Sequence, residues 1–270
     1  MLHYFRQIRQ KLILQEKARK YLLYAMGEII LVVIGILIAL QINNWNQDRI
    51  NRANEEFYLV NLINDINLQI DELNSTIQAE DTVALKLRAV GDLLKEGLTP
   101  EDMPTLNLNL SYLLANRSVN IFDATFEDLK STGNLKLIDD EHLRQKLTAF
   151  YQSMERADRV LLKNEGFKNQ IREEMIRYSL VNFNLDYDIG LTTFLKTSGI
   201  PVYNPIQDIK NQNKFDRIAM ENIFSDDGIM RLNNLLTSRY LSSLVSVATL
   251  KVVRNQAEEL IIDIRINLGD

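Results

Sequence analysis

The sequence predicts an all-α protein in which an N-terminal transmembrane helix is followed by an elongated extracytoplasmic bundle of long amphipathic helices, and three observations carry that prediction. Among 270 residues there are only ten glycines and four prolines. That is about 5%, where ordinary usage gives roughly 12%, so folds that spend these residues on many tight turns are excluded. Residues 21–42 form an apolar run with one ionisable side chain, and beyond it three long blocks place apolar residues every three or four positions. The hydrophobic fraction of 46% supplies a sizeable core and excludes disorder. A net charge of −5 without a basic domain excludes a nucleic-acid binder as the expected class. With no cysteine, thiolate chemistry and zinc ribbons are excluded.

Taken in order, the first element is a basic tail, residues 1–20. Arg6, Arg9, Lys11, Lys17, Arg19 and Lys20 stand against the single acid Glu16, and Phe5, Ile8 and Leu12 form an apolar stripe suited to the inner leaflet. Residues 21–42 follow as the transmembrane helix, about 33 Å long at 1.5 Å per residue, which matches a hydrocarbon core of roughly 30 Å. Its Leu, Ile and Val side chains, each worth roughly −0.3 to −0.6 kcal/mol on the insertion scale, outweigh the roughly +3 kcal/mol of Glu28. A cleaved signal peptide would have a shorter apolar core and then small residues at alternate positions, whereas this run ends Ala39-Leu40-Gln41-Ile42-Asn43-Asn44. The basic excess before the span predicts a cytoplasmic N-terminus and an inner-membrane, single-pass topology. Lys20 and Trp45 are the expected membrane-interface anchors, the first by snorkelling and the second by an indole at headgroup level.

Residues 43–270 form the expected periplasmic helical domain, with 25 basic against 34 acidic side chains, a net of −9. The prolines come in two pairs, Pro100 with Pro104 and Pro201 with Pro205, and cut the domain into three helical blocks. The first continues the anchor toward Glu96 with Leu59, Ile63, Ile66, Ile70, Leu73, Ile77, Ala84, Leu87 and Leu94 on a heptad-like spacing, interrupted by Glu80 and Gly91. So long a helix is expected to break or bend near Asn43 to Asn46 or near Glu80. The second carries Leu143, Leu147, Phe150, Met154, Ala157, Leu161, Ile171, Met175 and Tyr178, with Asn164 and Lys168 as weak points. The third carries Leu232, Leu236, Tyr240, Leu244, Val247, Leu250, Ala257, Ile261, Ile264 and Leu268. Between them, Thr99-Pro100-Glu101-Asp102 has the form of a helix start, Thr125 to Asp128 that of a capping box closed by Gly133, and Asp139 and Asp226 stand where the long helices begin. Residues 181–191 alternate apolar and polar and read as extended; a pairing with Leu106, Leu108 and Leu110 is the alternative to a helix there.

The string KYLLYAMGEIILVVIGILIALQINNWN, preceded by FRQIRQKL, and the string TFEDLKSTGNLKLIDDEHLRQKLTAFYQ over residues 125–152 resemble an uncharacterised family of single-span membrane proteins common in the Bacteroidota, a domain family of unknown function. The resemblance implies an inner-membrane protein of a Gram-negative cell with a periplasmic helical domain, and it implies no activity.

Candidate chemistry is sparse. His3 and His142 fall on opposite sides of the predicted membrane, no nucleophile-histidine arrangement or glycine-rich phosphate loop occurs, and Asn184, Asp186 and Asp188 miss the calcium-loop pattern in both glycine and terminal glutamate. The acidic pairs Asp139-Asp140, Glu173-Glu174, Asp226-Asp227 and Glu258-Glu259 are read as caps and solvated faces. Neither catalytic residues nor a metal or cofactor are expected, and the protein is expected not to be an enzyme. The costly residue is Glu28. At 100° per residue Tyr21, Tyr24, Glu28, Val32, Gly35 and Ala39 fall within about 40° of one line, joining a carboxyl group to a small-residue pair that lets helices approach. Tyr24, Glu28, Val32, Gly35 and Ala39 are the expected transmembrane helix contact, and the expected partners are the lipid bilayer, a second copy through this helix and an envelope protein. The expected function is a membrane-anchored, non-enzymatic interaction or scaffold protein; the alternative is an envelope sensor or regulatory subunit with Glu28 as a proton-responsive group.

Overall fold

A computed structural model describes residues 18–115, 118–178, 198–199 and 212–269, and every regular element among them is helical. The tail residues 1–17 with His3, and residues 181–191 with Asn184, Asp186 and Asp188, lie outside the described residues. In chain order the α-helices are α1 (Ala18–Glu96), α2 (Met103–Ser111), α3 (Ala124–Ser131), α4 (Glu141–Arg177), α5 (Gln212–Ile223) and α6 (Asp226–Leu268). Short 3-10 turns occupy Pro100–Asp102, Tyr112–Leu114 and Asn134–Leu137. The chain divides into two compact units, Met1–Tyr58 and Leu59–Asp270.

Helix α1 passes Asn43 to Asn46 and Glu80 without the expected break. Its polar side chains bond along the helix surface instead of competing for the backbone: Gln47 donates to Asn51 at 3.0 Å and Arg49 to Asn46 at 3.3 Å. It stops at Gly97, whose φ of 95° is the left-handed cap that glycine adopts without strain. The segment around Leu106 to Leu110 is helical rather than a strand. Leu106, Leu110 and Leu113 are buried while Leu108 is exposed, so spacing by four and three prevails over alternation.

The buried line of α1 keeps Leu59, Ile66, Leu73 and Leu87 of the expected stripe, with Ile77 and Ala84 buried beside it, and adds polar members. Leu59, Leu62, Ile66, Gln69, Leu73, Thr76, Glu80, Val83, Leu87 and Val90 are buried, a regular alternation of threes and fours in which Glu80 is a member and not an interruption. Ile63, Ile70, Gly91 and Leu94 flank that line at half-buried positions. On α4 the expected stripe is buried from Leu143 to Met175, with Lys168 inside it. On α6 the expected Tyr240 and Leu244 are not buried; Arg239 and Ser243 take their places. Cross-links between α4 and α6 join Lys146 to Asp263, Asn164 to Ser246 and Glu174 to Arg231, so these two helices run antiparallel. One apolar cluster gathers Leu87 of α1, Leu106 of α2, Met175 of α4, Ile223 of α5 and Leu232 of α6.

The helix starts are built locally. Asp140 caps α4 by accepting from the His142 and Leu143 amides at 2.8 and 3.3 Å, one residue later than expected, and Ser225 caps α6 by accepting from Gly228 at 3.0 Å. Helix α3 starts at Ala124 without a side-chain cap. The Thr125 amide turns instead to Asp65 of α1, 2.9 Å away.

Candidate functional site

At the middle of Leu59–Asp270 three helices bring charged side chains into the core. Glu80 of α1, Lys168 of α4 and Arg239 of α6 are each 3% exposed or less. The Arg239 guanidinium meets the Glu80 carboxylate end-on, Nη1 at 3.0 Å from Oε2 and Nη2 at 3.2 Å from Oε1. Lys168 Nζ stands 3.5 Å from Oε1, and the Ser243 hydroxyl donates to Oε2 at 2.9 Å while accepting from Arg239. Arg239 Nη2 also donates to the carbonyl of Ala115 at 3.2 Å, which ties in the segment after α2. Arg239 Nε finds no protein acceptor.

The electrostatics follow from those contacts. Burial pushes the Glu80 carboxyl up, but the charge and hydrogen bonds of Arg239 outweigh it, joined by Lys168 and Ser243, and hold the group below its ordinary value of 4.5. Both carboxylate oxygens are occupied by cations or a hydroxyl, so Glu80 has no oxygen free to take a proton from a substrate. The arrangement fixes the register of three helices; a buried ion pair contributes geometry more than net stability.

A second polar assembly lies on α1 at Asp65, Glu72 and the fully buried Gln69. Gln69 accepts from the Phe122 amide at 2.9 Å and donates to the Asn120 carbonyl at 3.1 Å. Glu72 accepts from the Asn120 amide and side chain at 3.2 and 3.1 Å. Three side chains at spacings of four and three thereby satisfy the main chain entering α3. Behind it Tyr151 stacks on Phe126 with ring centroids 4.3 Å apart, and burial, with Asp65 and Asp123, pushes its phenol up.

The residues singled out for the transmembrane contact all lie on α1, and the structure leaves them uncovered. Tyr24, Glu28, Val32, Gly35 and Ala39 are exposed, as are Lys20 and Trp45. The acidic pairs are caps and surface partners: Asp140 caps α4, Glu174 and Asp227 hold Arg231, and Glu258 pairs with Arg254. Glu80 and Lys168 stood out in the sequence as breaks in their apolar stripes, whereas Arg239 and Ser243 did not.

Residues 28–175, more than half of the chain, match a family described as a family of unknown function, DUF6090. The chain belongs to this family. Membership bears out the resemblance as far as a domain of unknown function. The DUF6090 region contains both strings that carried the resemblance, the first from Glu28 onward, and takes in Glu80 and Lys168, while Arg239 and Ser243 lie beyond it. No curated protein and no solved structure matches the chain.

Proposed function

We propose that this DUF6090 protein is a membrane-anchored, non-enzymatic interaction or scaffold protein of the cell envelope, with residues 21–42 crossing the inner membrane, residues 1–20 in the cytoplasm and residues 43–270 as a periplasmic helical bundle. One observation carries the reading: α1 holds a window of mean hydropathy 2.6, none of it buried by the protein. A core helix of a soluble protein hides such a window against its own chain; a surface this apolar calls for lipid. The basic residues before it and the acidic balance after it favour the stated orientation. A non-enzymatic role is supported by the occupied state of Glu80, the most buried carboxylate described.

A regulatory subunit is the second reading. It is favoured by Glu28, an ionisable group inside the apolar stretch, where a carboxyl group is costly unless it works. For the first reading, a reporter active only in the periplasm is fused after Asp270. Periplasmic activity is expected, and activity of a cytoplasmic reporter at the same place overturns it.

A further inference from the structure

The geometry points to a docking face on α6 for a partner helix that carries an apolar stripe and one basic residue in it. This rests on the scaffold reading and names the class of partner. Helix α6 is apolar on two opposite sides. Its buried line runs Leu232, Leu236, Arg239, Ser243, Ser246, Leu250 and on to Ile264 by fours and threes. Two residues further on, about 200° round the helix, Leu241, Val245, Ala248, Val252, Ile262 and Ile266 repeat the same spacing on the outside. The large members are 54% to 66% exposed, over about 38 Å of helix at 1.5 Å per residue. A second heptad line facing solvent is what a helix presents to another helix.

Charge selects the occupant. Asn255 and Glu259 are the polar positions in the outer stripe. Of the charged side chains flanking it, Lys251 pairs with Asp81 at 3.8 Å, Arg254 with Glu258 at 3.5 Å and Asp263 with Lys146, and the exposed Arg265 lies about 100° away from the stripe. Among the described residues Glu259 has no such counterpart, and it stands in the seam itself. A second copy seated on this stripe offers no basic residue within the stripe to face Glu259, and each domain carries a net of −9. A helix with Lys or Arg opposite Glu259 supplies that residue and completes the seam.

The test uses the full chain in lipid nanodiscs and a fluorescent synthetic amphipathic helix with Leu at its core positions and one Lys placed to meet Glu259, made in both orientations. A companion peptide has Glu in place of that Lys. In one orientation the Lys peptide is expected to bind about tenfold more tightly than its companion, a difference of about 1.4 kcal/mol. Glu259→Lys is expected to reverse the preference, and Val252→Asp to weaken both peptides. Absence of a preference, or one that Glu259→Lys leaves unchanged, overturns the inference. So does Val252→Cys cross-linking to a second copy or within its own chain in native membranes. The compartment reporter fails independently: a cytoplasmic domain would overturn the scaffold reading while the titration still measured the stripe.

Discussion

Glu80 shows how one carboxylate can hold three helices and why its removal is asymmetric. Taking away the acid leaves Arg239 and Lys168 as uncompensated buried cations, so Glu80→Ala is expected to lower stability by about 3–5 kcal/mol in urea unfolding followed by circular dichroism. Replacing all three charges with apolar residues of similar volume, Glu80→Leu with Lys168→Met and Arg239→Met, is expected to cost much less than the single change, because no charge is left stranded. A triple variant as unstable as Glu80→Ala would mean that the ion pair itself supplies the stability. The same group sets a pH dependence. Its folded value is held below the unfolded 4.5 by Arg239 and Lys168, so the unfolded chain binds the proton first on acidification. This contribution is fully present above the unfolded value and is lost as pH falls through the folded one. Below 4.5 the unfolding midpoint should therefore fall more steeply for the wild type than for Glu80→Gln, and parallel curves would refute the assignment.

At the scale of elements, α1 serves as a ledge for the chain entering α3. Gln69→Leu makes the position apolar at roughly the same size but leaves the Phe122 amide and Asn120 carbonyl without their partner, at about 1–3 kcal/mol for an unsatisfied group. Hydrogen exchange at Phe122 should quicken with it; unchanged protection would show that the clasp is incidental. The start of α6 is equally specific, since a Cβ on Gly228 would lie 1.8 Å from the Asn222 carbonyl oxygen. Gly228→Ala should loosen the α5–α6 junction although alanine favours helices, and proteolysis between Ile223 and Asp226 reads that out. These elements differ in how legible they were. The long helices, the end of the first block near Glu96, the Gly133 stop and the buried line of α4 follow from periodicity and turn chemistry. The phase of α6 does not, because two apolar faces on one helix make Tyr240 and Leu244 as plausible inside as Arg239 and Ser243. The cap expected at Thr125 failed for a related reason: its amide is satisfied by Asp65, distant in sequence. Polar interruptions at Glu80 and Lys168 were visible, but the pairing that makes them one site with Arg239 depends on tertiary packing.

For the molecule as a whole, the proposed anchor can be tested for pairing with a second copy. In lipid the hydrophobic effect does not drive helices together, so pairing depends on close packing and polar contacts, and the face of residues 21–42 that offers both carries Glu28, Gly35 and Ala39. A Cβ added at Gly35 or at Gly27 would meet nothing within 4 Å, so neither substitution strains the single chain. Any difference between them therefore reports on a second helix. Gly35→Ile should push two backbones apart and weaken pairing by about 1 kcal/mol, whereas Gly27→Ile, about 100° off that face, should matter less. Glu28→Gln should preserve pairing through hydrogen bonds to the neighbouring helix, since the amide keeps a donor and an acceptor at the same place. A membrane two-hybrid measurement on the full chain ranks these variants. Equal signals for the wild type and Gly35→Ile would leave the proposed span without a pairing role and Glu28 to reach for headgroups, because a carboxyl group with no helical partner finds its remaining partners in water.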